Sequence, residues 1–125
     1  MAKPAHPSKM ENDPLIRANI LVVDDEYWIR TTFKDLLQEA GYHVSAAGGY
    51  SEAIGMLDEN DFDLVIADII LGDRSGIELL REIKTRNPAC PVVMITGYPE
   101  IETASEAVRI GAFDYIPKPV KKDAL

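Results

Sequence analysis

Short apolar runs alternate with stretches of helical periodicity along this chain. Ile20-Leu21-Val22-Val23 is uninterrupted and rich in β-branched residues, the pattern of a strand covered on both faces. Tyr42 to Ala47, Leu64 to Ala67, Pro91 to Ile95 and Phe113 to Ile116 supply four further strands. Between the first two runs, Ile29, Phe33, Leu36, Leu37 and Ala40 fall at helical spacing, and Gly41 provides a stop. Ser51 to Glu59 predicts a shorter helix that buries Ile54 and Leu57. The loop Gly72-Asp73-Arg74-Ser75-Gly76 leads into a helix with Ile77, Leu80 and Ile83 inward. Pro99 to Ile110 predicts a fourth helix, with Pro99 in the first turn, where its missing N–H costs nothing. Strands alternating with helices predict an α/β fold on a parallel sheet, and right-handed crossovers leave few topologies.

Residues 1–18 stand outside this pattern. Met1 to Pro14 carries three prolines with Lys, Ser, Asn and Asp, and too few large apolar side chains to pack. It reads as a flexible leader, 1–18, before a single domain, 19–125. The 125 residues fit one domain, and 46% hydrophobic with 27% charged residues is enough for a real core. The net charge of −8 disfavours nonspecific binding to nucleic acid or an anionic membrane, since both are negative themselves. No apolar run reaches a membrane span, and the start MAKPAHPSKMENDP has no signal-peptide core, so a cytoplasmic protein is expected. Cys90 is the one cysteine, which rules out an intrachain disulfide; with no Cys/His constellation around it, it reads as a small packing residue. His6 in the leader and His43 at a strand start have no partner in view, and Tyr27 and Trp28 read as surface or packing residues.

Open α/β sheets place their sites beyond the carboxyl ends of the strands. The first run is followed by Asp24, Asp25 and Glu26, the third by Asp68, the fourth by Thr96 and Gly97, and the fifth by Lys118. Carboxylates gathered at one rim repel one another unless a cation joins them. Oxygen-only donors suit a hard ion such as Mg²⁺. A carboxylate can attack phosphorus, and a metal ion and an ammonium can neutralise the phosphoryl charge. Each residue also has a plainer explanation. Asp24 could cap a helix, Thr96 could end a strand, Lys118 could be a solvated charge, and Tyr115 could be a core aromatic. Capping, however, has no need of Asp68 or Lys118.

The blocks ILVVDDE, LVIADIILGDRSGIELL, VVMITGY and GAFDYIPKPV resemble, in order and spacing, the motifs of response-regulator receiver domains over about residues 19 to 120. The resemblance implies a flavodoxin-like, doubly wound five-stranded parallel sheet of order 2-1-3-4-5. It implies that Asp68 is the phosphoacceptor, that Asp24 and Asp25 with Asp68 and the Ile70 carbonyl hold Mg²⁺ (or Mn²⁺), and that Lys118 and Thr96 assist. It makes Thr96 and Tyr115 the switch pair, and it implies a cis Lys118–Pro119 bond. The implied partners are a sensor histidine kinase or phosphotransfer protein and an output domain or downstream protein of a transcriptional kind, with a homodimer left open and no nucleic acid or membrane bound directly.

Departures from the family pattern carry expectations too. Gly72 stands where a proline is usual and Ser75 where an aspartate is common, changes expected to loosen the loop without touching a reacting atom. Ile70 and Tyr98 occupy the two variable positions that border the path of hydrolytic water, and a bulky pair there implies slow loss of the phosphoryl group. The family's fifth helix is barely begun by KKDAL. The chain is therefore expected to be a piece of a longer protein, or to cover that sheet face with a second copy. Two other functions stay open. One is a degenerate receiver serving only as an interaction module. The other is an aspartyl-phosphate phosphatase, disfavoured because Ile70 stands where such enzymes carry a second aspartate. A receiver would catalyse only its own phosphorylation and dephosphorylation, without turning over external substrates.

Overall fold

The computed structural model describes residues 17–118. Most of the expected leader, the Lys118–Pro119 bond and the start of a fifth helix lie outside the described residues. The elements run β1 (Asn19–Val23), α1 (Tyr27–Glu39), β2 (His43–Ala47), α2 (Tyr50–Glu59), β3 (Leu64–Asp68), α3 (Gly76–Arg86), β4 (Val92–Thr96), α4 (Ile101–Ile110) and β5 (Asp114–Pro117). All strand pairs are parallel and the order is β2-β1-β3-β4-β5, as the resemblance implied. Ala18 already joins the sheet edge, because its carbonyl accepts the His43 N–H at 3.0 Å.

The uninterrupted apolar runs follow from burial on both faces. Successive strand residues point to opposite sides. Leu21, Val23, Val65, Ala67, Val92 and Met94 pack with Leu79, Leu80 and Ile83 of α3, Ala53 of α2 and Ala107 of α4. Their neighbours Ile20, Val22, Ile66 and Ile95 pack against Ile29, Phe33 and Leu37 of α1. Ile54 and Leu57, expected to be buried in α2, are only half-buried, and Ala53 takes the inner position. Val93 and Ile116 continue the α1 face toward β5 and are half-buried. Strands β3 and β4 each run one residue beyond the predicted span, which draws Asp68 and Thr96 into the sheet. Phe113, expected to open β5, lies before it and is 76% exposed.

Two expectations about loops are corrected. Helix α4 starts at Ile101, with Glu100 as an extended cap (φ −132°, ψ 144°), so Pro99 is not in its first turn. The preceding donors are satisfied elsewhere. The Tyr98 N–H donates to Thr96 Oγ1 at 3.0 Å and the Glu100 N–H to the Tyr115 hydroxyl at 3.4 Å.

The loop after β3 is tied down rather than loosened. Gly72 adopts φ +82°, which a proline fixed near −65° cannot reach. The Asp73 carboxylate accepts the Tyr50 N–H at 3.0 Å and the Ser51 N–H at 3.2 Å, capping α2 from outside that helix. These two N–H groups, followed by that of Arg74, hold the Asp73 carboxyl below its ordinary range. Arg74 lies 4.2 Å over the Tyr50 ring and pairs with Glu78 at 2.7 Å. Ser75 opens α3 with a capping box: its hydroxyl accepts the Ile77 N–H at 3.0 Å, and Glu78 accepts the Ser75 N–H at 3.2 Å.

Gly76 brings α3 against the end of β3. Its N–H donates to the Ile69 carbonyl at 2.6 Å, and a β-carbon at this position would collide with the Asp68 carbonyl oxygen. That obstacle is backbone and cannot rotate away. Gly76→Ala is therefore expected to destabilise the protein by about 1–3 kcal/mol through overpacking. The effect is read as a lower urea midpoint at unchanged slope; an unchanged midpoint would contradict this packing.

Candidate functional site

Parallel strands bring their carboxyl ends to one edge of the sheet. Asp24 follows β1 directly, Asp68 ends β3, Thr96 ends β4, and Lys118 follows the last residue of β5. Asp24 continues the β1–β2 ladder, its N–H donating to Ala47 at 3.1 Å, and its Oδ1 accepts the Glu26 N–H at 2.8 Å. That bond holds the turn into α1. Asp24 is not the helix cap, which is Glu26 and makes no side-chain capping bond. Asp68 Oδ1 accepts the Ile70 N–H at 3.2 Å, which leaves Oδ2 toward the cleft.

Lys118 joins these groups. Its backbone N–H donates to the Thr96 carbonyl at 2.7 Å, fixing the root of the side chain beside β4. Its Nζ stands 2.9 Å from Asp68 Oδ2, 2.9 Å from Glu26 Oε1 and 3.0 Å from Asp24 Oδ2. Burial pulls its pKa down, but the carboxylates of Glu26, Asp68 and Asp24 more than reverse this and raise it, so the amine stays charged.

Asp24 is fully buried. Burial raises its pKa. The Glu26 N–H and Lys118 oppose that rise, and the nearby Asp68 adds to it. Although Lys118 is close, no N–H aligns with Asp24 Oδ2, the one buried side-chain oxygen among the described residues without a hydrogen bond. Carboxylate oxygens of Asp24, Asp25 and Asp68 lie within 4.8 Å of one another. An orphaned buried carboxylate oxygen within an all-oxygen donor set fits a hard divalent cation.

Asp25, Glu26 and Asp68 open onto a cleft of about 230 Å³, lined also by Ile70, Gly97, Tyr98 and Lys118, with Asp24 buried behind it. Ile70 and Tyr98 flank it as exposed side chains. Thr96 is 1% exposed and does not line the cleft. Its oxygen accepts the Tyr98 N–H, so its own proton remains to be donated. Tyr115 lies further off, with its hydroxyl 2.9 Å from that of Thr103 and accepting the Glu100 N–H, so it ties β5 to the first turn of α4.

The sequence placed Asp24, Asp25, Asp68, Ile70 and Lys118 correctly at one rim. It gave no role to Glu26, whose only signal was its place directly after the acidic pair. Cys90 is buried, with Sγ 3.4 Å from the Phe62 carbonyl, and burial pushes its thiol up. His43, Tyr27 and Trp28 are exposed, Tyr27 under the Arg30 guanidinium.

Residues 20–125 match the model of the response regulator receiver domain. The transcriptional regulatory protein ZraR of Escherichia coli (strain K12) is 43% identical over 107 residues, which is 86% of this chain and 24% of ZraR. The chain thus spans about a quarter of that relative's length. A CheY-like receiver domain from Methanospirillum hungatei superposes with a TM-score of 0.84 at 33% identity, covering 86% of each chain. A Burkholderia pseudomallei response regulator, solved with a phosphorylated aspartic acid, calcium ion and citrate, superposes with a TM-score of 0.82 at 32% identity, over 86% of this chain and 63% of that one. This protein belongs to the response-regulator receiver domain family.

Proposed function

We propose that the chain accepts a phosphoryl group on Asp68 from the phosphohistidine of a sensor kinase or phosphotransfer protein. The observation that carries this reading is Lys118 Nζ 2.9 Å from Asp68 Oδ2 in the cleft that both line, with the buried Asp24 3.0 Å from the same ammonium. The phosphorylated aspartic acid of the Burkholderia relative supports it. An Asp68 oxygen forms a bond to phosphorus while the donor's P–N bond breaks, its electron pair returning to the imidazole. Lys118 turns an N–H to a phosphoryl oxygen, and the Thr96 hydroxyl donates to another. Asp24, Asp25, Asp68 and the Ile70 carbonyl would hold Mg²⁺ (or Mn²⁺), which when bound neutralises phosphoryl charge.

Readout follows from bonds that must change. Thr96 leaves the Tyr98 N–H to reach the phosphate, and Tyr115 moves inward from Thr103 and Glu100. The start of α4 loses two bonds, and the face formed by α4 and β5 shifts between two populations. The output would be a transcriptional domain or partner. The chain would act in the cytoplasm and turn over no external substrate; no described helix is long and apolar enough to cross a membrane.

With Mg²⁺ and acetyl phosphate, intact-mass spectrometry is expected to find one added phosphoryl group, absent in Asp68→Asn and formed on the order of a hundred-fold more slowly in Lys118→Ala. No reaction, nor any with beryllofluoride, would favour a pure interaction module. Steady phosphate release from many esters would favour a phosphatase. With Ile70 and Tyr98 flanking the cleft, the phosphoryl group is expected to persist for minutes; loss within seconds would contradict that shielding.

The metal site gives a test in which the sign changes. The folded pKa of Asp24 is raised, so folding favours its neutral form, and stability drains as pH climbs above the unfolded value of about 3.9. Without divalent metal at neutral pH, Asp24→Asn is expected to melt higher than the wild type. Millimolar Mg²⁺ should stabilise the wild type and close or invert that gap, because only the wild type keeps the full donor set. A variant that melts lower without metal, or gains as much from Mg²⁺, would contradict this.

A further inference from the structure

Lys118 does more than its assigned partners require. Nζ donates to Asp68 Oδ2 and to Glu26 Oε1, each at 2.9 Å, and lies 3.0 Å from Asp24 Oδ2 without an aligned N–H, so three carboxylates hold it before any phosphoryl group arrives. Two of these partners belong to the acceptor and metal set. The third, Glu26, does not, because the cluster of mutually close carboxylate oxygens comprises Asp24, Asp25 and Asp68. Of the two hydrogen bonds that hold Nζ, only the one to Glu26 lies outside that set and draws the ammonium away from Asp68.

The environments differ enough to say which contact yields to a phosphoryl oxygen. Asp24 is fully buried and Asp68 is the reacting group, whereas the Glu26 side chain is 49% exposed and can be resolvated. Glu26 is also held ready for this contact. Its N–H is fixed on Asp24 Oδ1 at 2.8 Å and its side chain makes no capping bond to α1, so the carboxylate is free to meet Lys118 across the cleft that it lines.

Resting on the phosphoacceptor reading above, we propose that Glu26 is a positioning residue that parks Lys118 in the unphosphorylated protein and so sets how readily Asp68 accepts a phosphoryl group. Breaking a half-exposed ion pair is a small step, which makes Glu26 a regulator of rate and not an obstacle to reaction.

The test compares wild type, Glu26→Gln and Glu26→Asp in the intact chain at saturating Mg²⁺, with the Mg²⁺ dissociation constant and the rate of acetyl phosphate labelling measured separately. Glu26→Gln is expected to label about two- to five-fold faster at saturating metal. Glu26→Asp, which keeps the charge on a shorter arm, should fall between the two. In the metal-free protein, ¹⁵N NMR of the Lys118 ammonium should show faster exchange with water in Glu26→Gln. Equal or slower labelling of Glu26→Gln, or unchanged ammonium exchange, would overturn the proposal while wild-type labelling leaves the phosphoacceptor reading intact. A wild type that never labels, with metal bound, would overturn both.

Discussion

Three carboxylates at the end of adjacent strands form an arrangement that electrostatics alone would disperse, and one ammonium holds it together. Lys118 reaches from the end of β5 across β4 to groups on β1 and β3, so a single charge spans most of the width of the sheet. Its ionisation depends on those carboxylates, and the buried charge of Asp24 depends in turn on it. Neither group makes physical sense without the other. Any group that brings negative charge to Asp68 must shift this balance.

The backbone around Asp68 is held more rigidly than its loop composition suggests. Gly76 lets α3 close on the Asp68 carbonyl, Ser75 and Glu78 fix the start of that helix, and Asp73 fastens the same loop to the first turn of α2. Asp68 thus sits on a fixed platform. By contrast, the Thr96 hydroxyl holds one hydrogen bond and the Tyr115 hydroxyl two, and these can be exchanged at little cost. Stiffness at the chemical centre and softness beside it suit a domain that registers one covalent event and passes it on.

Strands and most helices were readable in the sequence because burial on both faces leaves a continuous apolar run, as in Ile20 to Val23. The site was readable because its residues follow those runs directly. What stayed hidden depends on side chains meeting backbone far along the chain. Asp73 caps a helix that starts 23 residues before it, and hydrophobic periodicity carries no trace of such a bond. Pro99 looked like a first helical residue, but the donors around it were already satisfied by Thr96 and Tyr115. Glu26 had a place at the rim but no assigned partner, and Lys118, 92 residues away, supplies one.

A crystal structure of the protein with Mg²⁺ and beryllofluoride on Asp68 tests the central role of Lys118 most directly. Lys118 Nζ is predicted to lie within hydrogen-bond distance of a fluorine, released from Glu26, with Thr96 Oγ1 on a second fluorine and no longer bound to the Tyr98 N–H. Lys118 still paired with Glu26 and Asp24, with no contact to the bound group, would contradict the account.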